Sequence, residues 1–386
     1  MSGDGPLSGL LVADFSRIVA GPYCTMLLGD LGAEVIKVES PAGDDTRTFK
    51  PPVRDEESTY YLAVNRNKRS VALDLADKGD LVLARRLAHR ADVLVHNFKP
   101  GTTERYDLGY EQVAAANPGL VYCAISGFGT RGGAALPGYD LLIQAASGMM
   151  AMTGEADGAP LRTGISAIDV MTGLHAAVAV LAALNHRTAT GHGQLLEIDL
   201  LSSALSSMIN QSSAWVAGGV VPQRMGNEHP SLFPYGPLPT ADRELIVVAG
   251  NDRQYRTLCD VLGRPDLAAD PRFASVGLRN DHRDELRPEL EAVLATRGAD
   301  EWAGLLTRAG LPCGPINDVR RGVETATRLG LEPVVDVEGV PMVRNPVTYS
   351  LTPPRYRHRP PALDNAGESI RAWLASEVSA KEPLDA

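Results

Sequence analysis

Along residues 9–200, short apolar runs of strand length alternate with longer segments in which apolar residues return every three or four positions. GLLVADFS (9–16) reads as a buried strand, PYCTMLLGDLGA (22–33) as a helix closed by Gly32, and EVIKVES (34–40) as a strand alternating apolar and polar residues. After a long polar loop come a strand at 70–75, a helix at 77–91, a strand at 92–98, a helix at 111–117 that stops at Pro118, and a strand at 120–126. Strand–helix–strand units at this spacing predict an α/β fold, with a parallel sheet covered by helices on both faces. Two helices follow, at 139–152 and 168–187, then a strand at 194–200 and a helix reaching about 216.

At 217–240 the texture changes to an irregular stretch holding five prolines, which predicts a linker into a smaller domain. That domain begins with a strand at 244–250 and continues as charged helices over 252–310, broken by Gly263 and Pro265. From about 330 the chain returns to short strands, and ESIRAWLASEV (368–378) closes it as a helix. The expected division is a large domain over 1–216, linker and small domain over 217–325, and a C-terminal return to the large domain over 326–386.

Composition narrows the function classes. The 386 residues carry 37 Lys+Arg against 47 Asp+Glu, a net charge of −10, which argues against a nucleic-acid footprint or a basic membrane face. Cys24, Cys123, Cys259 and Cys313 lie far apart with no CxxC pair, which fits reduced thiols and a cytoplasmic location. The N-terminus lacks a basic region followed by an apolar one, so no signal peptide is expected. The longest apolar stretch, 174–184, is interrupted by His175 and is short of the ~20 residues of a membrane span.

Candidate chemistry comes from a few clusters. Gly127, Gly129 and Gly132 match GxGxxG after a predicted strand, but Pro137 delays any helix and the residue twenty positions on is Met152, not an acid. The pattern reads as a turn that brings backbone close to a ligand. NRNKRS (65–70) places Arg66, Lys68 and Arg69 together, and Lys99 and Arg105 follow the end of a predicted parallel strand; these cations suit a polyphosphate or form a solvated loop. Asp169 stands three residues after Ser166, which resembles a capping box. It is either a first-turn acid favoured by the helix dipole or a nucleophile kept ionised by that dipole. His175 reads as a core histidine, and His229, near Asn227, Glu228 and Tyr235, as part of a lid or a substrate contact. No metal-ligand spacing is present, and no cofactor or metal is expected.

Long segments then carry a resemblance: DFSRIVAGPYCTMLLGDLGAEVIKVESPAGDDTR (14–47), NRNKRSVALDL (65–75), ADVLVHNFKPG (91–101), ISGFG (125–129), PGYDLLIQAASGMMAMTG (137–154), the surroundings of Asp169, GHGQLLEIDL (191–200), GNEHPSLFPYG, GNDRQYRTLCDVLG (250–263) and GLPCGPINDV (310–319). In order and over nearly the whole chain they resemble the family III CoA-transferases, whose fold is shared by α-methylacyl-CoA racemase. The resemblance implies a Rossmann-like large domain, a smaller α/β domain and an interlocked homodimer. It puts coenzyme A, as part of the substrate, at Arg17, Val19, Ala20, Leu73, Asn97, Phe98, Arg105 and Tyr139, with Lys68 and Lys99 as neighbouring cations, and it makes Asp169 the catalytic aspartate. Many members have Arg after the VIKVE strand, packed on adenine; here Ser40 stands there, and Arg47 is a candidate replacement.

The implied reaction moves CoA from an acyl-CoA, such as succinyl-CoA or another dicarboxylyl-CoA, to an acceptor acid through an anhydride and a thioester of Asp169. Arg224 and His229 are candidates for a second carboxylate. Two alternatives remain: a 2-methylacyl-CoA racemase, which has His in a GHD motif where this chain has Tyr139, and a non-catalytic acyl-CoA-binding relative, which is expected to lose Asp169.

Overall fold

The structure, a computed structural model, describes residues 5–376. The chain forms two compact units: one holds the residues up to Met149, Arg162–Val221 and those from Glu332 on, the other Met150–Leu161 and Pro222–Leu331. The small unit thus includes 150–161, a stretch expected in the large domain and beginning with the last residues of the helix expected over 139–152, and the chain rejoins the large unit at 332 rather than 326.

In the large unit, β1 (Leu11–Phe15), β2 (Glu34–Glu39), β3 (Lys68–Ala72), β4 (Val93–His96), β5 (Val121–Ser126) and β6 (Leu195–Asp199) form one parallel sheet in the order β3-β2-β1-β4-β5-β6. Val12 of β1 pairs with Val35 on one side and Val93 on the other. The strand order reverses between β1 and β4. Loops leaving the carboxyl ends of the strands there run to opposite faces of the sheet and open a crevice, the usual ligand position of such folds.

Helices α1 (Ala20–Asp30), α2 (Lys78–Arg90), α3 (Asp140–Ala146), α4 (Ala167–Thr190), α5 (Leu200–Ser207) and α6 (Ile209–Val216) accompany the sheet. Ala13, Ile36, Val71 and Leu94 of the strands pack with Ala84 and Leu87 of α2 and with Ile370 and Leu374 of the C-terminal helix Gly367–Ala375. The tail also covers the outer edge of β3: the Ala72 amide donates to Asp364 Oδ1 at 2.7 Å and the Ala366 amide to the Ser70 carbonyl at 3.1 Å. The last residues of the expected helix 368–378 lie outside the described residues.

Three elements differ from the pattern reading. The helix expected over 139–152 ends at Ala146, because 150–161 is engaged inside the small unit: the Gly226 amide donates to the Gly154 carbonyl at 2.9 Å and Arg224 Nη1 to the Ala151 carbonyl at 3.1 Å. The helix expected to run to 216 is two, broken at Ile209, whose φ is +41°. Finally, α4 runs well past 174–184 and has the length and apolarity to cross a bilayer, with a mean hydropathy of 1.9. It packs instead along α1 and α5, burying Ile168, Thr172, Ala176 and Val180. His175 is not in the core; it is exposed on the opposite face with Leu174 and Val178.

The small unit is built on an antiparallel sheet of β7 (Tyr235–Pro239), β8 (Glu244–Val248) and β9 (Cys313–Pro315), with β8 central. Helix α7 (Asp252–Leu262) is capped by the Asn251 side chain and buries Tyr255, Leu258, Cys259 and Leu262, one stripe at helical spacing, in this unit's own core.

Candidate active site

The crevice between β1 and β4 is built on charges that sequence reasoning passes over. Asp14, at the end of β1, is fully buried and accepts from the Ser16 hydroxyl and amide, from Thr25 Oγ1 at 2.7 Å and from Lys68 Nζ at 3.0 Å. Lys37 of β2, also fully buried, donates to the Ser16 carbonyl at 3.0 Å and to Asp44 Oδ2 at 2.9 Å. Burial alone would raise the Asp14 carboxyl, but Lys68 and Lys37 outweigh it and hold it below its ordinary value. The same burial, against the pull of Asp14, brings Lys68 down to about 8.

This network fixes the turn 16–19. Ile18 sits at φ +71°, a left-handed conformation that costs a β-branched residue about 1–3 kcal/mol. Its amide donates to Asp44 Oδ1 at 3.3 Å, and the neighbouring Arg17 is clamped by Asn97, which accepts from the Arg17 amide at 3.0 Å and donates to its carbonyl at 2.7 Å. Asn97 comes from the loop after β4, so one side chain ties the two diverging loops together. The first amides of α1, which lack intrahelical acceptors, begin here at Val19 and Ala20.

Asp169 enters the same crevice from the first turn of α4. It is 8% exposed, and among the described residues no donor reaches its carboxylate. Ser166 does not cap the helix as its spacing suggests; its hydroxyl is 2.8 Å from Tyr60 Oη. The cap comes from Asp140, whose Oδ2 accepts from the Ile168 amide at 2.7 Å and the Asp169 amide at 3.0 Å. The helix dipole therefore does not keep Asp169 acidic. Burial, together with the charge of Asp140, pushes its carboxyl from 3.8 up to about 7.

Close backbone approaches fix both carboxylates. Gly173, one turn beyond Asp169, faces α1, and a Cβ there would stand 2.7 Å from the Ala20 carbonyl oxygen. The loop after β5 is pinched at its base, where a Cβ on Gly127 would meet the Gly138 Cα at 2.4 Å. The apparent GxGxxG therefore belongs to a closed loop, and the next helix waits until Asp140.

Arg17, Val19, Ala20, Asn97, Phe98, Lys99 and Tyr139 line one groove of about 320 Å³ together with Asp140 and Asp169. A second cavity of about 280 Å³ shares Arg17 and Phe98 with it and is lined by Leu73, Ser40, Leu75 and Tyr106. Arg105 is exposed, with Thr102 Oγ1 3.4 Å from its guanidinium, and Thr102 borders that cavity.

Besides Arg105, four expected contacts line neither cavity: Lys68, Arg47, Arg224 and His229. Lys68 is buried and saturated by Asp14, the Pro22 carbonyl and Asn65, as Arg66 is by Asp30; the basic cluster is internal counter-charge rather than a phosphate site. Arg47 packs on the Tyr61 ring at 3.8 Å and pairs with Glu39 at 2.8 Å, so it is not free to replace the arginine absent at Ser40. Arg224 and His229 lie in the small unit, where the His229 ring is 4.9 Å from that of Tyr235. The residues that pattern reading missed, Asp14, Lys37, Asp44 and Asp140, carry a faint signal: Asp14 and Lys37 are charges inside apolar strands.

Comparison with known proteins places this geometry. The sequence profile of CoA-transferase family III matches residues 7–366. Acetyl-CoA:oxalate CoA-transferase of Acetobacter aceti is 38% identical over 376 residues, 96% of each chain. Succinate–glutarate CoA-transferase of Agrobacterium fabrum is 39% identical over 383 residues, again 96% of each. A solved structure, a CAIB/BAIF family protein from Brucella suis, matches with a TM-score of 0.87 at 40% identity, covering 96% of this chain and all of that one.

Proposed function

The chain belongs to CoA-transferase family III, and we propose that it exchanges CoA between small dicarboxylic acids with Asp169 as the covalent carrier. The carrying observation is the Asp169 carboxylate itself, nearly buried, without a donor, and facing the groove at the strand-order reversal. An Asp169 oxygen attacks the thioester carbon of the donor; the C–S bond breaks, leaving a mixed anhydride and CoA thiolate. The thiolate attacks the aspartyl carbonyl, releasing the donor acid as its carboxylate and leaving an aspartyl-CoA thioester. An acceptor carboxylate attacks that thioester, the thiolate returns to the acceptor's carbonyl, and Asp169 leaves as carboxylate. Splitting the exchange this way replaces one hard step by easier ones. The first-turn amides of α1 and the backbone of the 127–138 loop border the groove and suit the oxyanions of each attack.

Arg17, Val19, Ala20, Asn97, Phe98, Lys99 and Tyr139 are the residues we assign to the pantetheine arm. The adjoining cavity, with Leu73, Phe98 and Tyr106, offers apolar surface for adenine without a guanidinium at Ser40, and the exposed Arg105, held by Thr102 at the cavity's border, suits a phosphate. The dicarboxylate reading draws on the acids in the relatives' names, oxalate in one and succinate and glutarate in another, and on the short GNEHPSLFPYG segment. Arg224 and His229, both in the small unit, are the basic groups we propose for a carboxylate. The Nδ1 of His229 accepts from the Ser231 amide at 3.0 Å, which leaves Nε2 as a donor. We further infer an interlocked homodimer, supported by exposed apolar residues on α4 and α6.

Asp169→Asn should bind CoA esters and lose transfer. Hydroxylamine added to wild type during turnover should mark Asp169. Full turnover by the variant, or α-deuteration of a 2-methylacyl-CoA in D2O without exchange of acids, would overturn the reading.

A further inference from the structure

Asp140 has no part in the mechanism above, yet it is 9% exposed, lines the reactive groove and holds the helix that carries the nucleophile. Its two oxygens are committed as acceptors. Oδ2 takes the Ile168 and Asp169 amides, and Oδ1 takes Gln144 Nε2, while Gln144 Oε1 accepts from the Thr163 amide at 2.9 Å. The carboxyl groups of Asp140 and Asp169 therefore share one helix end, and Asp140 has taken the amides that would otherwise stabilise a charge on Asp169.

We propose that Asp140 is a positioning residue that fixes the backbone of Asp169 and, by its own charge, disfavours the free Asp169 carboxylate relative to its acylated forms. The inference rests on Asp169 being the covalent carrier. In the first step the negative charge leaves Asp169 and ends on the CoA sulfur; the anhydride and the later aspartyl thioester are both neutral at this side chain. Repulsion from Asp140 is thus felt by the resting carboxylate and relieved once the new C–O bond has formed, so it acts on the difference between states rather than on both alike. The raised proton affinity of Asp169 agrees with this arrangement. The other charged or titratable groups facing the groove are Arg17, Asp45 and Lys99 from the loops after β1, β2 and β4, and Tyr139 beside Asp140; Arg17 and Asp45 are paired at 3.1 Å.

The test is Asp140→Asn, whose amide oxygen still accepts at the helix end but carries no charge. Its acid limb of kcat/KM should move to lower pH by about one unit or more, as removal of a like charge requires. Its kcat above that limb should fall on the order of tenfold, following the lower basicity of the nucleophile. KM for the CoA ester should stay within about twofold, because the lost effect is not one of uniform binding. A change confined to cap geometry would lower the folded yield without moving the pH limb.

Carbodiimide labelling of Asp169 against pH, read by peptide mass spectrometry in the resting protein, needs neither turnover nor the variant. In wild type its midpoint should lie near 7. A wild-type midpoint in the ordinary carboxylate range overturns the inference, as does an identical midpoint in a folded Asp140→Asn protein. A midpoint that shifts as expected, in an enzyme from which no acyl-Asp169 can be trapped, instead removes the covalent-carrier reading and leaves the Asp140–Asp169 coupling standing.

Discussion

At the scale of single residues, the role proposed for Asp169 is set against stability. Its carboxyl is raised from 3.8 to about 7 in the folded protein, first by burial and then by Asp140, so the native state holds that proton more tightly than the unfolded chain does. The sign follows: ionisation of Asp169 costs the fold nothing below about pH 4, costs more as pH rises toward 7, and is constant above that, at roughly 4 kcal/mol. Asp169→Asn should therefore resist urea better than wild type at pH 8 and equally near pH 4. Equal stability at both pH values would show that the resting carboxylate is not held under strain. None of this is readable from Ser166-Ala-Ile-Asp169, which announces a helix start and a capping box. The cap comes from Asp140, 29 residues upstream of Asp169, and local pattern carries no information about which distant side chain will occupy a helix end.

At the scale of elements, the strand–helix alternation was legible because the strands are short, β1 to β5 are largely buried, and the helices between them turn apolar residues to the sheet. The readings that failed did so where another part of the fold took over. Residues 150–152 continue the expected helix in pattern but belong, with the segment to 161, to the small unit, and His175 sits in an apolar run that is exposed along one face. The basic cluster 65–70 misled for a related reason. Arg66 and Lys68 look like ligands for phosphate, but Arg66 pairs with Asp30 of α1 and Lys68 with Asp14 of β1, and the cations neutralise those buried carboxylates instead. Lys68→Met should accordingly lower stability by about 3–5 kcal/mol, since it strands Asp14 in the interior, while the folded fraction keeps its KM for CoA esters. Denaturant midpoints and KM measured on the same preparation decide it; a raised KM with unchanged stability would return Lys68 to the binding site.

At the scale of the whole molecule, two compact units come from an interrupted chain, the larger one closed by its own C-terminal segment. Leu174 and Val178 on α4 and Ile209, Trp215 and Val216 on α6 are between 45% and 82% exposed, a set of large apolar side chains that solvent does not favour. The interlocked dimer proposed above would cover such surface permanently; on that proposal sedimentation at nanomolar concentration should still find a dimer, and a folded monomer there would exclude the interlock. The loop between Gly127 and Gly138 is pinched off from the elements that carry it. Residues 128–137 form part of the wall of the groove, but the strand and helix on either side meet at a backbone contact that leaves no room for a side chain. Mutations, insertions or deletions between the two glycines reshape that wall while the anchor of Asp140 stays where it is. Inheritance can then remodel one side of the groove without disturbing the pair of carboxylates at its floor.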